Sequence, residues 1–428
     1  MKKISLLINF IFIVCFNSYA SKIFIEELSE MSQVSEIKII ESKQFAEKYV
    51  IKFQQLIDYN NPKKGTFEQR VIVCNVHPDS ATVLVTEGYD INYALRPSYT
   101  EELAKHFNTN LIVIEHRYFA DSTPDNKDWK YLTTKFSAND IHNIVEAFKK
   151  IYKGKWISTG ISKGGQTATF YRLYYPNDVD ISVPYVAPLC RTVQDKRPEL
   201  FIKDSSSNKK TRSAVKNFQI MAFQHKKEIT PLLDSLSKAN HYFYNAPIRV
   251  VFDYTILEFS FAFWQWGYNI TTIPKKNASA REIYNYLVQV DSPRHFAKES
   301  PATSFFVQSA KELGYYGYDI KPFKKYTSIK NTDNYLDKLL LPKGKSFVFD
   351  DTLYKKILYF LKNTDAKMLY IYGENDPWSS VKIPDFNREN IKIFIQPNGS
   401  HKTRINTFNE KTQKIIFNQL SNWLYNKK

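Results

Sequence analysis

"KWISTGISKGGQTATFY", residues 155–171, is the stretch whose reading decides the fold. Trp156–Thr159 is apolar and β-branched and reads as a short strand. Lys163 onward reads as a helix stopped by Pro176. Between them lies Gly160-Ile161-Ser162-Lys163-Gly164, a Gly-x-Ser-x-Gly turn. In strand–turn–helix context this is the pattern of a nucleophile elbow. The turn is sharp, its neighbours must be small, and the serine stands exposed at the strand end. The helix behind it turns backbone N–H groups toward a developing oxyanion. Ser162 is therefore the candidate nucleophile, against the plainer reading of a serine in a glycine-rich turn.

Strands and helices alternate around this turn. "RVIVCNVH" (70–77), "TVLVTEG" (82–88), "NLIVIEHRY" (110–118) and "ISVPYVAP" (181–188) read as strands. Residues 137–152 read as a helix with Ser137 as N-cap and Ile141, Ile144, Val145 and Phe148 on one face. Residues 42–57 read as a short helical pattern. Strand–helix alternation predicts a mainly parallel sheet with helices on its faces. From 191 to 360 the chain turns helical and irregular, with an aromatic cluster "EFSFAFWQWGY" at 258–268. Strand grammar returns at "KMLYIYG" (367–373) and "IKIFIQ" (391–396), followed by a closing helix over 409–427. The predicted organisation is an α/β core from 21–190 and 361–428, interrupted by a helical cap over 191–360.

A nucleophilic serine needs a base, and the base needs an orienting acid. In this architecture the chain order is Ser, then acid, then His. The last two strands supply both. Glu374-Asn375-Asp376 follows one, and Gly399-Ser400-His401 follows the next. Each lies just past the C-terminal end of a strand, where open α/β sheets place their sites.

The bulk properties bound what else the chain can be. Lys2 and Lys3, the apolar run Ile4–Phe16 and the small residues Ser18 and Ala20 read as a secretory leader over 1–20, cleaved after Ala20. The run is shorter than the ~20 residues needed to span a bilayer. The chain is therefore expected to be secreted or periplasmic, without stable membrane insertion. Formal net charge is +17, but the lysines are scattered and form no continuous basic face, so no nucleic-acid partner is expected. Beyond the leader only Cys74 and Cys190 remain, enough for one bridge at most. No P-loop, His-Glu-x-x-His or Cys-x-x-Cys motif occurs, and neither a metal nor another cofactor is expected.

The stretch "TGISKGGQTATFYRLYYPNDVDISVPYVAPL" (159–189), with "VLVTEGYDI" (83–91), "EHRYFADSTP" (115–124) and "GENDPW" (373–378), resembles secreted prolyl tripeptidyl aminopeptidases, the PS-10-like serine peptidases. More loosely, it is similar to lysosomal prolyl carboxypeptidase. The resemblance implies an α/β-hydrolase core under a helical cap. It also implies a Ser162–Asp376–His401 triad and peptide substrates cut near free N-termini with a proline preference. A carboxypeptidase-like enzyme anchored by Arg117 or Arg294, a lipase or esterase with the same triad, and an inactive hydrolase-fold binding protein are the alternatives. The backbone N–H of Gly88 or Tyr89, with that of Lys163, is expected to form the oxyanion hole. Glu87 is the first candidate to meet a substrate amine, its alternative being an ion pair with Arg117; Glu258 is the second. Phe263, Trp264, Trp266 and Trp378 are candidates to wall an apolar pocket, or else plain cap core.

Overall fold

The computed structural model describes residues 23–205, 208–298 and 300–425; the leader expected over 1–20 lies outside them. One nine-stranded sheet organises the chain, in the order β1-β2-β3-β5-β4-β6-β7-β8-β9. The strands are β1 Val34–Ile39, β2 Glu47–Leu56, β3 Thr66–Asn75, β4 Thr82–Thr86, β5 Asn110–Ile114, β6 Trp156–Ile161, β7 Ile181–Tyr185, β8 Lys367–Gly373 and β9 Ile391–Gln396. β1, β2, β3 and β5 pair antiparallel, and β5, β4, β6, β7, β8 and β9 run parallel.

The central strands are buried on both faces, so they lack polar alternation. Val71, Val73, Leu84, Ile112 and Ile114 join one apolar cluster, while Ile72, Val83, Val85, Leu111 and Val113 join the other. Helix α1 (Glu102–Phe107) and helix α10 (Glu410–Tyr425) cover the second face through Leu103, Ile416, Leu420 and Leu424. Helices α2 (Thr134–Phe148) and α3 (Lys163–Tyr174) cover the first through Ile141, Ile144, Phe148 and Phe170. This is an α/β-hydrolase core.

Two local expectations are corrected. Residues 42–57 are not helical. β2 occupies most of them, because Tyr49, Ile51, Phe53 and Gln55 are buried at a period of two while the residues between face outward or half outward. Helix α2 starts a turn earlier than Ser137 would start it. Thr133 is the cap, accepting from Phe136 N at 3.1 Å, and Ser137 Oγ donates back to the Thr133 carbonyl at 2.9 Å. Cys74 and Cys190 are free and buried, in different clusters, so no bridge forms between them.

Between β7 and β8 the chain forms α4 (Lys209–Gln224), α5 (Lys226–Ala239), α6 (Ile248–Gln265), α7 (Ala280–Val290), α8 (Thr303–Gln308) and α9 (Thr352–Asn363). α6 is the axis of this region and is buried nearly all round. Its C-terminal end reaches the core: Gln265 O accepts from His401 N at 2.9 Å. Among the described residues no helix is long and apolar enough to cross a membrane.

Candidate active site

Ser162 stands where β6 ends and α3 begins, with φ +57° and ψ −118°. A non-glycine residue at positive φ is strained and persists only where its surroundings over-determine it. Here they do. Ser162 N donates to Tyr185 O of the neighbouring strand at 2.9 Å, and Ser162 O accepts from Gln166 N at 2.9 Å. The glycines around it are required by space. A Cβ on Gly160 would meet Gly164 O at 2.3 Å, and one on Gly165 would meet Tyr185 O at 2.8 Å.

β4 lies beside β6, so the loop after β4 runs against the elbow. A Cβ on Gly88 would meet Lys163 Cβ at 2.5 Å and Gly164 N at 2.8 Å. That close approach is what Gly88 provides. Its own N–H donates to Glu87 Oε2 at 3.2 Å. The N–H of Lys163 is the first of α3, one of those a helix leaves without an intrahelical acceptor.

The loops after β8 and β9 are tied together. Asn375 N donates to Gly399 O at 2.7 Å and Asn398 N to Glu374 Oε2 at 2.8 Å. Glu374 is thus an exposed loop brace, and Asp376 is the acid that turns inward. Asp376 Oδ1 accepts from Trp378 N at 3.1 Å, and its Oδ2 lies 2.6 Å from His401 Nδ1. With Asp376 as acceptor, Nδ1 carries the proton and Nε2 is left as the basic atom. Nε2 is buried and has no partner among the described residues. The His401 ring meets Trp266 edge-on at 6.1 Å.

A cavity of about 190 Å³ joins Ser162 to the region above it. Ser162, Lys163, Tyr89, Trp266, Trp378 and Glu258 all line it. Phe263 does not: it is fully buried against Phe259, Trp264 and Tyr268, as plain packing. Trp264 lines a different cavity. Glu87 is likewise displaced from its expected place. It borders a small pocket beneath β4, its carboxylate held by the Tyr93 hydroxyl and Gly88 N. No Glu87–Arg117 ion pair forms. Arg117 is saturated by Asp140 at 2.6 Å and by the carbonyls of Tyr131 and Leu56, while Arg294 is exposed and lies outside the cavity lining.

The PS-10 peptidase S37 family matches residues 25–407, nearly the whole chain. The chain belongs to the PS-10 peptidase S37 family. A prolyl tri/tetrapeptidyl aminopeptidase of Streptomyces mobaraensis is 29% identical over 345 residues, covering 77% of this chain and 69% of its own. Lysosomal Pro-X carboxypeptidase of Homo sapiens is 26% identical over 159 residues, 33% of this chain and 32% of its own. A solved proline iminopeptidase of Mycobacterium smegmatis aligns over 87% of this chain and 99% of its own, at 12% identity and a TM-score of 0.39. The S37 chain is a serine peptidase, and its substrates are peptides.

In this S37 peptidase the cavity wall holds Glu258, which the sequence offered as an amine partner, and an acid that sequence reading missed. Asp291, at the C-terminal end of α7, lines it with a buried Oδ2 that has no partner among the described residues. Glu258, buried in the same wall, accepts from Tyr316 at 2.7 Å and from Tyr318 at 2.6 Å. Burial raises both carboxyls, Glu258 to about 7; the nearby Glu258 charge raises Asp291 further. Lys163 Nζ is buried and unpartnered too, over the Phe119 ring at 5.1 Å, and burial holds its pKa well below a lysine's ordinary value. Buried polar groups without partners are costly, and in a cavity wall they mark where a polar ligand completes the bonding. No periodicity or motif flags Asp291; only the fold brings it opposite the elbow.

His142, Glu146 and Asp178 come together elsewhere, with ligand atoms within 4.8 Å of one another. His142 Nδ1 already bonds Asp178 at 2.8 Å, the Tyr171 hydroxyl donates to the same oxygen at 2.6 Å, and Lys149 Nζ is 3.9 Å from Glu146. That arrangement is a self-satisfied ionic network.

Proposed function

We propose that this S37 peptidase releases short peptides from free N-termini through an acyl-enzyme on Ser162. The observation that carries the reading is that two buried carboxyls, Glu258 and Asp291, share one cavity with the candidate nucleophile. A cavity walled by two acids favours an ammonium ion, which a free N-terminus supplies. His401 Nε2 takes the Ser162 proton as Oγ bonds to the scissile carbonyl carbon. The oxyanion is met by the N–H groups of Lys163 and Tyr89. His401 then gives the proton to the leaving amine, and water reverses the sequence to free the N-terminal fragment. Asp376 keeps His401 in the required tautomer and offsets its transient charge. Trp266 and Trp378 give the cavity apolar, ring-stacking walls suited to a proline side chain.

Within this reading, residues 191–360 act as the cap that closes the cavity, and the apolar run Ile4–Phe16 directs export with cleavage after Ala20. Among the described residues lining the cavity, Lys163 and His295 are the basic side chains, and burial pushes His295 down to about 4; Arg117 is buried in its own ion pair. The test is a pair of peptides that differ only in N-terminal acetylation. The free peptide should be cleaved with kcat/KM higher by ~10²-fold or more, since stranding a buried charge costs ~3–5 kcal/mol. C-terminal amidation should change little. Rejection of the amidated peptide with cleavage of the acetylated one would reverse the assignment to a carboxypeptidase.

A further inference from the structure

On the other side of α6 lies a second and larger cavity, about 410 Å³, that shares no wall residue with the one containing Ser162. The helix itself is the partition. Glu258 and Ala262 face the catalytic cavity, whereas Leu257, Phe261 and Trp264 face the second. Helical geometry sets these two groups of residues on different faces. The volume is in the range of ligand sites rather than of packing defects.

The wall of this second cavity is sorted by chemistry. Its floor is apolar, from Leu257, Phe261 and Trp264 of α6 with Phe323. Within that floor the Trp264 indole N–H is buried and has no acceptor, in a side chain only 5% exposed. A donor left without an acceptor in an otherwise apolar floor is a group that a ligand carbonyl would satisfy. The charges come from separate elements. Lys209, Arg212 and Lys216 recur at helical spacing along α4, while Glu199 and Asp319 come from the segments flanking the cavity at its other strands of chain. Lys203 and Asp204 add one charge of each sign. Burial and then the neighbouring Asp319 raise the Glu199 carboxyl, while Lys196 and Lys321 lower it.

We propose that this second cavity binds a short zwitterionic peptide with apolar side chains, its amine at Glu199 and Asp319 and its carboxylate at the Lys209–Lys216 face of α4. Apolar side chains lie on Leu257, Phe261 and Trp264, and a backbone carbonyl accepts from the Trp264 indole. That the ligand is a peptide rests on the peptidase reading of Ser162, because short free peptides are what such an enzyme releases. The site also adjoins the amine anchor: Tyr318 lines the second cavity, and its hydroxyl donates to Glu258 at 2.6 Å.

The test is calorimetric titration of the Ser162→Ala protein, which binds peptide without turning it over, with the tripeptide Ala-Phe-Pro. Ser213→Trp places an indole in the cavity from α4, far along the chain from the catalytic groups, and should remove one equivalent of bound tripeptide. Lys216→Glu reverses the charge of an exposed lining residue, and should weaken that equivalent by about tenfold or more. N-acetylation and C-terminal amidation of the tripeptide should each weaken it by a similar factor. Wild-type-level peptide cleavage by the Ser213→Trp enzyme with Ser162 intact confirms its fold. An isotherm that neither variant alters overturns the second site while leaving the active-site reading intact. Absence of any Ser162-dependent peptide cleavage would instead remove the active-site reading, and the effect of the two variants on the isotherm would still decide the second cavity.

Discussion

Ser162, the proposed nucleophile, is held at φ +57° by its backbone bonds to Tyr185 and Gln166, in a turn whose glycines leave no room for a Cβ. Replacing its hydroxyl should abolish peptide cleavage while the protein stays folded, and His401→Ala should behave alike. Asp376→Asn should lower kcat by ~10⁴, as when a triad aspartate is neutralised, because His401 then holds the wrong tautomer. Glu374→Gln should keep most activity, since Glu374 only braces Asn398 N. Steady-state kinetics on one peptide separates these outcomes, and a crippled Glu374→Gln beside an active Asp376→Asn would mean that the acid is misassigned. At this scale the chain order was legible in the sequence: Ser162, Asp376 and His401 each follow a strand, and Asp376 lies 2.6 Å from His401. Glu87 was misread because a carboxylate next to the elbow in sequence is turned under β4 by Tyr93. Asp291 carried no signal, since its role depends on packing alone.

The elements divide in the same way. Parallel strands buried on both faces lack polar alternation, and β4 and β5 were readable for that reason. β2 was not, because Glu47–Leu56 buries polar residues such as Lys48 and Gln55 among its apolar ones and mimics a polar helix. The helix α2 boundary turned on which hydroxyl caps it. Thr133→Ala should cost about 1 kcal/mol, the usual value of an N-cap. Ser137→Ala should cost less, because its hydroxyl only bonds back to Thr133 O. Urea unfolding of the two variants measures this directly, and the reverse order would restore Ser137 as the cap. Gly160→Ala should be far worse than either: its Cβ would overlap Gly164 O at 2.3 Å, backbone that cannot yield without breaking the elbow. Loss of both folding yield and activity is the expected result.

Across the whole molecule, α6 carries Glu258 into the cavity that holds Ser162, and its Gln265 carbonyl accepts from His401 N. This gives the enzyme a pH dependence of defined sign. Burial raises Glu258 to about 7, so its anion, the form that pairs with an ammonium ion, appears only above that pH. KM for free-amine peptides should therefore fall as pH rises through about 7, and Glu258→Gln should make KM high and flat there. For folding the sign is opposite. A carboxyl raised in the folded state contributes stability below its ordinary value, lost as pH rises toward about 7, so the ligand-free protein should melt lower at pH 7 than at pH 5 from this group. Chelators should leave activity unchanged, and loss reversed by zinc would reveal a metal the account lacks. The central claim, that Ser162 is a nucleophile activated by His401, is tested most directly by a fluorophosphonate probe followed by peptide mass spectrometry. The account predicts a single adduct on Ser162 within residues 156–163, absent in Ser162→Ala and strongly reduced in His401→Ala. An adduct on another serine, or labelling of Ser162 that His401→Ala leaves untouched, would contradict it.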